Sequence, residues 1–414
     1  MTGPTVATRW TPPPEALEPL RDHRVVEALL QLPAELETAL VGGVLRDQLL
    51  SLPVRDFDVT VAHSGESAAQ RLGERLDARW FRLGESRFAT FRLVTPDLQL
   101  DLLDRSPAGM EEDLRRRDLT IHSMAWELAR DRFHDPCDGR RDLRDRVLRA
   151  PSSAVMKEDP LRVLRLARFA GELAFTVDPA TREVARAAAG GLRDVASERI
   201  RIELRLLFQR PADAVAHLVR LAVLPGLWTG WREPHEVAPG DELIEPARDL
   251  AGRCEDIERA GFQPDRALAT EALIRTYLPD GAVNDPLGRG LTTRREERVL
   301  QRLLELGAPP PTREAQRWWL HRAADGWPTA AAVFGCRDAG TWRRRLAELA
   351  AHAAEGAELF TPEPLLDGAE IAKLLDRSPG PALGRAVARL RRAQVEGRVR
   401  DRSEATRFLT EEQD

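Results

Sequence analysis

The character of this 414-residue chain changes at Pro160. Before it, from about residue 37 to 150, short β-like runs alternate with helical stretches: TALVGG, VLRDQLLSL, DFDVTVA, ESAAQRLGERLD, ATFRLV and LQLDLLD follow one another. That alternation predicts a domain with a mixed sheet, α/β or α+β. After it, stretches rich in Ala, Leu, Arg and Glu are punctuated only by Pro and Gly, as at Pro211, Pro225, Pro279, Pro309 to Pro311, Pro379 and Pro381, and read as helix after helix. A chain this long exceeds one ordinary core, so several domains are expected.

Composition narrows the class. A 43% hydrophobic, 31% charged chain is globular in type, and no apolar run approaches the roughly 20 residues that span a bilayer, so no membrane association is expected. The opening MTGPTVATRWTPPPE has no basic-then-apolar leader pattern, which points to a disordered lead-in and a cytoplasmic protein. Cys137, Cys254 and Cys336 lie far apart, with no CxxC pair and no histidine at metal-ligand spacing, so neither a disulfide framework nor a zinc site is indicated. The net charge of −5 does not advertise polyanion binding, which depends instead on local basic patches.

The chemistry gathers in five segments. In LVGGVLRD, Gly42 and Gly43 stand between a strand and a helix, where bare backbone can approach a phosphate, and Arg46 adds positive charge; the plain alternative is a tight turn. In RDFDVTV, Asp56 and Asp58 occupy alternate positions of a strand, so both carboxylates face one side and suit a hard divalent cation such as Mg²⁺. Paired metals there would stabilise the charge of an in-line attack on a phosphoryl group. LQLDLLD offers a third carboxylate in Asp101, on the face opposite Leu100 and Leu102, although a surface acid reads equally well. DLRRRDLTIHSMAWELA brings Arg117 and Asp118 before an apolar, helix-like stretch, suited to phosphate and ribose hydroxyls or else to helix capping. In EDPLRVLRLARFA, Asp159, Arg162, Arg165 and Arg168 recur every third residue of a helix that Pro160 opens. Asp159 can accept from the exocyclic amine of cytosine or adenine while Arg162 donates to the adjacent ring acceptor, an imitation of a template base. Arg165 and Arg168 would hold that constellation or the triphosphate; an ordinary amphipathic helix is the competing reading.

In this order, the segments resemble the tRNA nucleotidyltransferase and bacterial poly(A) polymerase family, in its bacterial and eukaryotic class. The resemblance implies an α+β, polymerase-β-like head with a mixed sheet, followed by an all-α neck, body and tail. The divisions expected are a lead-in to residue 24, a head over 25–150, a neck over 151–210, a body over 211–325 and a tail over 326–414. It assigns metal binding and catalysis to Asp56 and Asp58, triphosphate contacts to Gly43 and Arg46, ribose contacts to Arg117 and Asp118, and the amino-acid template to Asp159 and Arg162, with Arg165 and Arg168 following. SERIRIEL, Ser197 to Leu204, looks like the family's helix-supporting motif, and the C-terminal run containing Arg385, Arg389, Arg391 and Arg392 resembles an element that touches the tRNA body. The implied reaction is Mg²⁺-dependent, template-independent transfer of CMP and AMP from CTP and ATP to the tRNA 3′ end, with no protein partner indicated.

Two departures bear on local geometry: His122 stands where members usually carry asparagine, and DPCDG replaces their DPxGG. A third bears on the product. Only about a dozen residues separate Asp101 from Asp113, where enzymes completing CCA often insert a longer loop and enzymes adding only CC have a short one. CCA addition, CC addition and poly(A) synthesis are therefore all open.

Overall fold

The computed structural model describes residues 14–54, 56–83, 90–105, 107–221, 223, 227, 241–276, 293–335 and 338–411. The chain forms two compact units, Met1–Val195 and Ala196–Asp414.

The first unit opens with helices α1 (Pro14–Arg21) and α2 (Arg24–Leu30). Strand β1 (Ala39–Val41) then leads into α3 (Gly43–Leu49), β2 (Asp56–Val61), α4 (Gly65–Leu76), β3 (Arg79–Leu83), β4 (Thr90–Val94) and β5 (Gln99–Asp104). After α5 (Met110–Arg115) come β6 (Ala125–Glu127), β7 (Arg132–His134), α6 (Gly139–Asp145), α7 (Val155–Glu158) and α8 (Leu161–Leu173). The seven strands lie in the order β3-β4-β5-β2-β1-β6-β7. Only the central pair β2 and β5 runs parallel within this sheet. The sheet is therefore mixed, as the alternating text predicts.

Alternation fixes which face of the central strands is dry. Phe57, Val59 and Val61 of β2 are buried, as are Leu100 and Leu102 of β5, and the pleat turns Asp56, Asp58 and Asp101 to the other face. A register slip of one residue would exchange the two sets, so the apolar positions lock the carboxylates in place.

Two expectations are corrected. The stretch after Asp118 is not a helix: Thr120–His122 makes one 3-10 turn, and Ala125–Glu127 becomes β6, antiparallel to β1. The free edge of β1 needs a hydrogen-bonding partner, and burial of Ala125 and Trp126 outweighs the local helical pattern. The lead-in expected to residue 24 is unstructured only as a reading of its composition: α1 buries Leu17 and Leu20, whose spacing puts both on one face. Residues 1–13 of it lie outside the described residues.

Among the described residues of the second unit the regular elements are all helices. Arg275, fully buried, is neutralised by Glu271 at 2.8 Å and Glu297 at 2.9 Å. The C-terminal helices Gly368–Leu374, Pro381–Val395 and Arg402–Glu411 share a core of Ile371, Leu390, Ala393, Ala405 and Leu409. Cys336 falls outside the described residues. No helix among the described residues is long and apolar enough to cross a membrane.

The DPCDG turn has a clear packing role. Asp135 accepts from the Gly139 backbone N–H at 2.6 Å, and a β-carbon at Gly139 would fall 2.2 Å from the Thr120 carbonyl oxygen. Gly139→Ala should therefore lower stability by about 1–3 kcal/mol, read as a fall in the thermal unfolding midpoint; an unchanged midpoint would show that this turn yields freely.

Candidate active site

The parallel register sets Asp58 directly beside Asp101, and Asp56 beside Gln99. Asp56 is exposed at the strand start, whereas Asp58 is half-buried. Burial pushes the Asp58 carboxyl above its usual range; Arg117 opposes this, and the neighbouring charge of Asp101 reinforces it. Gly42 lets this carboxylate sit close to the chain: its φ of 73° and ψ of −126° suit glycine, and a β-carbon there would meet Arg117 Nη1 at 2.9 Å and Asp58 Oδ2 at 3.5 Å. The Gly42 N–H is committed to the Met124 carbonyl.

Asp101 does not stand free. Arg92, its cross-strand neighbour on β4, donates to both its oxygens at 2.7 Å. Sequence reasoning passed over Arg92 because its role depends on register, although ATFRLV alternates so as to place it on the polar face. Asp104 accepts from the Gly65 backbone N–H at 2.8 Å and secures the start of α4. Among the described residues no group of three or more His, Cys, Asp or Glu side chains is arranged to hold a metal by itself. Asp56 and Asp58 fit Mg²⁺ in its usual manner, in which one or two carboxylates act with substrate phosphates and water.

Behind this edge lies a buried chain of polar contacts. Asp118 Oδ2 accepts from Arg165 Nε at 2.7 Å, and Asp118 Oδ1 lies 2.9 Å from His122 Nδ1. His122 Nε2 lies 2.8 Å from Arg46 Nη1. A carboxylate only accepts and a guanidinium only donates, so the imidazole carries its proton on Nδ1 and accepts at Nε2. It is neutral: burial takes its pKa down to about 4, against the pull of Asp118. For Asp118, burial raises the pKa, but its interactions with His122 and then Arg165 outweigh it and hold the carboxylate well below its usual range. Arg46 also bonds Asp47 at 2.7 Å.

Phe169 on α8 is the common floor of this network. The His122 ring meets it edge-on at 4.5 Å, and the guanidinium carbons of Arg168, Arg46 and Arg165 lie 4.1, 5.0 and 5.5 Å from its centroid. The sequence marks Phe169 only as an inward apolar position. Arg168 further pairs with Glu172 at 3.0 Å.

Asp159 and Arg162 bracket the α7–α8 corner. Pro160 lies just before the helix that begins at Leu161. Asp159 Oδ1 accepts from the Leu161 N–H at 3.3 Å, and Arg162 Nη1 donates to the Val155 carbonyl at 3.0 Å. Both residues are half-exposed. In the second unit, Arg385, Arg389 and Arg392 lie on the exposed side of their helix; Arg392 pairs with Glu396 at 2.7 Å, and half-buried Arg391 donates to the Pro362 carbonyl.

A mixed sheet whose parallel central pair presents carboxylates beside a glycine turn and a bank of arginines is that of a polymerase-β-like nucleotidyltransferase. Residues 38–149 match the Poly A polymerase head domain. Over 405 residues the chain is 30% identical to a CC-adding tRNA nucleotidyltransferase of Geobacter sulfurreducens, covering 90% of this chain and 91% of that one. It is also 30% identical, over 419 residues, to an A-adding tRNA nucleotidyltransferase of Deinococcus radiodurans, covering 90% and 94%. Its fold superposes on that of a CCA-adding enzyme in complex with ATP with a TM-score of 0.73 at 19% identity, covering 97% and 98% of the two chains. The chain belongs to the tRNA nucleotidyltransferase and poly(A) polymerase family.

The neutral imidazole has a thermodynamic consequence. With a folded-state pKa near 4 and an ordinary value of 6.5, His122 takes up its proton more readily when the chain is unfolded. Its contribution to stability is intact above pH 6.5 and is lost as pH falls toward 4. Thermal unfolding of His122→Gln should therefore depend less steeply on pH across this window than that of the unaltered chain; identical slopes would contradict the buried neutral ring.

Proposed function

We propose that this enzyme adds CMP from CTP to the 3′ end of tRNA and stops after CC. The observation that carries this reading is the short connection after β5: the strand ends at Asp104 and α5 begins at Met110. A pocket that accepts C and then A must change shape between the two, and so short a connection leaves little chain to do so. The CC-adding relative, matched over nine-tenths of its length, supports the reading. Addition of the terminal A from ATP as well is the alternative that the test below separates.

In this reading Asp56 and Asp58 hold Mg²⁺ together with the triphosphate. Mg²⁺ there supplies neutralisation of charge on the attacking and leaving oxygens. Arg92 keeps Asp101 oriented beside Asp58 as a third carboxylate. Gly43 and Arg46 line the phosphate end, and Arg117, close to Gly42, serves the ribose with Asp118. Asp118 fixes the ribose end through its neighbours. At the α7–α8 corner, Asp159 accepts from the exocyclic amine of cytosine and Arg162 donates to the ring acceptor, with Arg165 and Arg168 holding the helix against the site. U and G present a carbonyl where Asp159 needs a donor, so they are refused at a cost of roughly 1–3 kcal/mol. The tail arginines Arg385, Arg389, Arg391 and Arg392 attract the tRNA body, and the enzyme works in the cytoplasm with no protein partner.

The test uses tRNA transcripts ending before CCA, after C and after CC, with each nucleotide supplied singly and Mg²⁺ present. The first two should gain C from CTP up to CC, and the third should gain nothing from ATP. Efficient addition of one A to the third makes this a CCA-completing enzyme, addition of A without any C makes it an A-adding one, and long A tracts on unstructured RNA make it a poly(A) polymerase. Asp56→Ala and Asp58→Ala should abolish addition while leaving tRNA affinity within about threefold, because they act on the metal and not the tRNA body.

A further inference from the structure

We propose that His122 is a positioning residue that couples the phosphate end of the nucleotide site to its selecting helix, through hydrogen bonds to Arg46 on one side and to Asp118 and Arg165 on the other. The inference rests on the nucleotidyl-transfer reading and adds a residue to which that reading gives no role.

Three observations carry it. The contacts form one unbroken path, Arg46 to His122 at 2.8 Å, His122 to Asp118 at 2.9 Å, and Arg165 to Asp118 at 2.7 Å. That path joins α3, the turn before β6, and α8, which also meet at Phe169. Its direction is fixed, since Asp118 must receive the Nδ1 proton and Arg46 must donate to Nε2. Finally, His122 is 5% exposed and its ring sits edge-on to Phe169, so packing as well as hydrogen bonding holds it in place.

An imidazole is suited to this task. It presents a donor and an acceptor on opposite edges of a rigid ring, so Arg46 and Asp118 are held apart at a set distance. In this chain, displacement of Arg46 by an incoming triphosphate must alter the hydrogen bond at Nε2. The change passes through the ring to Asp118 and then to Arg165 on the helix that bears Arg162. Nucleotide binding at the phosphate end and base choice at the corner are thereby linked.

The experiment is equilibrium binding of CTP and UTP with Mg²⁺ to the full chain, without tRNA, for the unaltered protein and for His122→Ala, His122→Phe and His122→Gln. Phe keeps the packing on Phe169 without either hydrogen bond; Gln keeps one donor and one acceptor. The Ala and Phe variants should bind CTP about tenfold more weakly, the loss expected for one charge-assisted hydrogen bond, with a reduced preference for C over U. Gln should recover CTP affinity to within about threefold. A Phe variant that binds as the unaltered chain does, or a Gln variant as poor as Ala, would overturn the coupling and leave only a packing role. Should a variant not fold, ¹⁵N shifts of the histidine imidazoles in the unaltered chain decide: the His122 signals should move on saturation with CTP, and signals that stay fixed overturn the proposal. If the unaltered chain binds neither CTP nor ATP, the nucleotidyl-transfer reading itself fails and takes this inference with it.

Discussion

Parallel pairing of β2 with β5 brings two carboxylates, Asp58 and Asp101, side by side at the centre of the sheet, and the rest of the polar face answers that concentration of negative charge. Burial raises the pKa of Asp58, and the neighbouring charge of Asp101 adds to that rise. Arg92 clamps Asp101 through two hydrogen bonds, and Arg117 approaches Asp58 over the bare backbone of Gly42. Asp56 stands exposed at the outer edge, where a divalent cation held with Asp58 would offset the negative charge. The apolar pleat beneath, from Phe57 to Leu102, prevents the carboxylates from relaxing away from one another.

The second layer of the site is organised differently. Around Phe169, three guanidiniums and one imidazole meet a single aromatic ring, and only the imidazole is neutral. A protonated His122 would place another cation against Arg46 and deprive it of its acceptor. Burial prevents that, so the ring joins Arg46 to Asp118 without adding to the positive charge. Such a network is stiff because each member satisfies the next, and removing one leaves a buried polar group without a partner.

Much of this was legible in the sequence, for identifiable reasons. Period-two alternation in DFDVTV and LQLDLLD placed the carboxylates on one face, and the change of texture at Pro160 separated sheet from helices. Patterns confined to one element were readable. What escaped depends on pairing between elements: Arg92 acquires its role only when β4 lies beside β5, and Ala125–Glu127 becomes a strand only because β1 has an open edge. The spacing of Asp159 and Arg162 was read as a near-neighbour pair, yet their side chains are committed to the Leu161 N–H and the Val155 carbonyl. Local spacing does not fix the partners of either residue.

The proposed metal-holding role of Asp58 sets a half-buried carboxylate against stability. Binding of Mn²⁺ together with CTP, followed by electron paramagnetic resonance in the unaltered chain and in Asp58→Asn, tests this directly. The substitution should weaken metal binding at least about tenfold while the thermal midpoint stays level or rises, because a buried charge crowded by Asp101 and Asp56 has been removed. Unchanged Mn²⁺ affinity in Asp58→Asn would contradict the assignment of this strand as the catalytic edge.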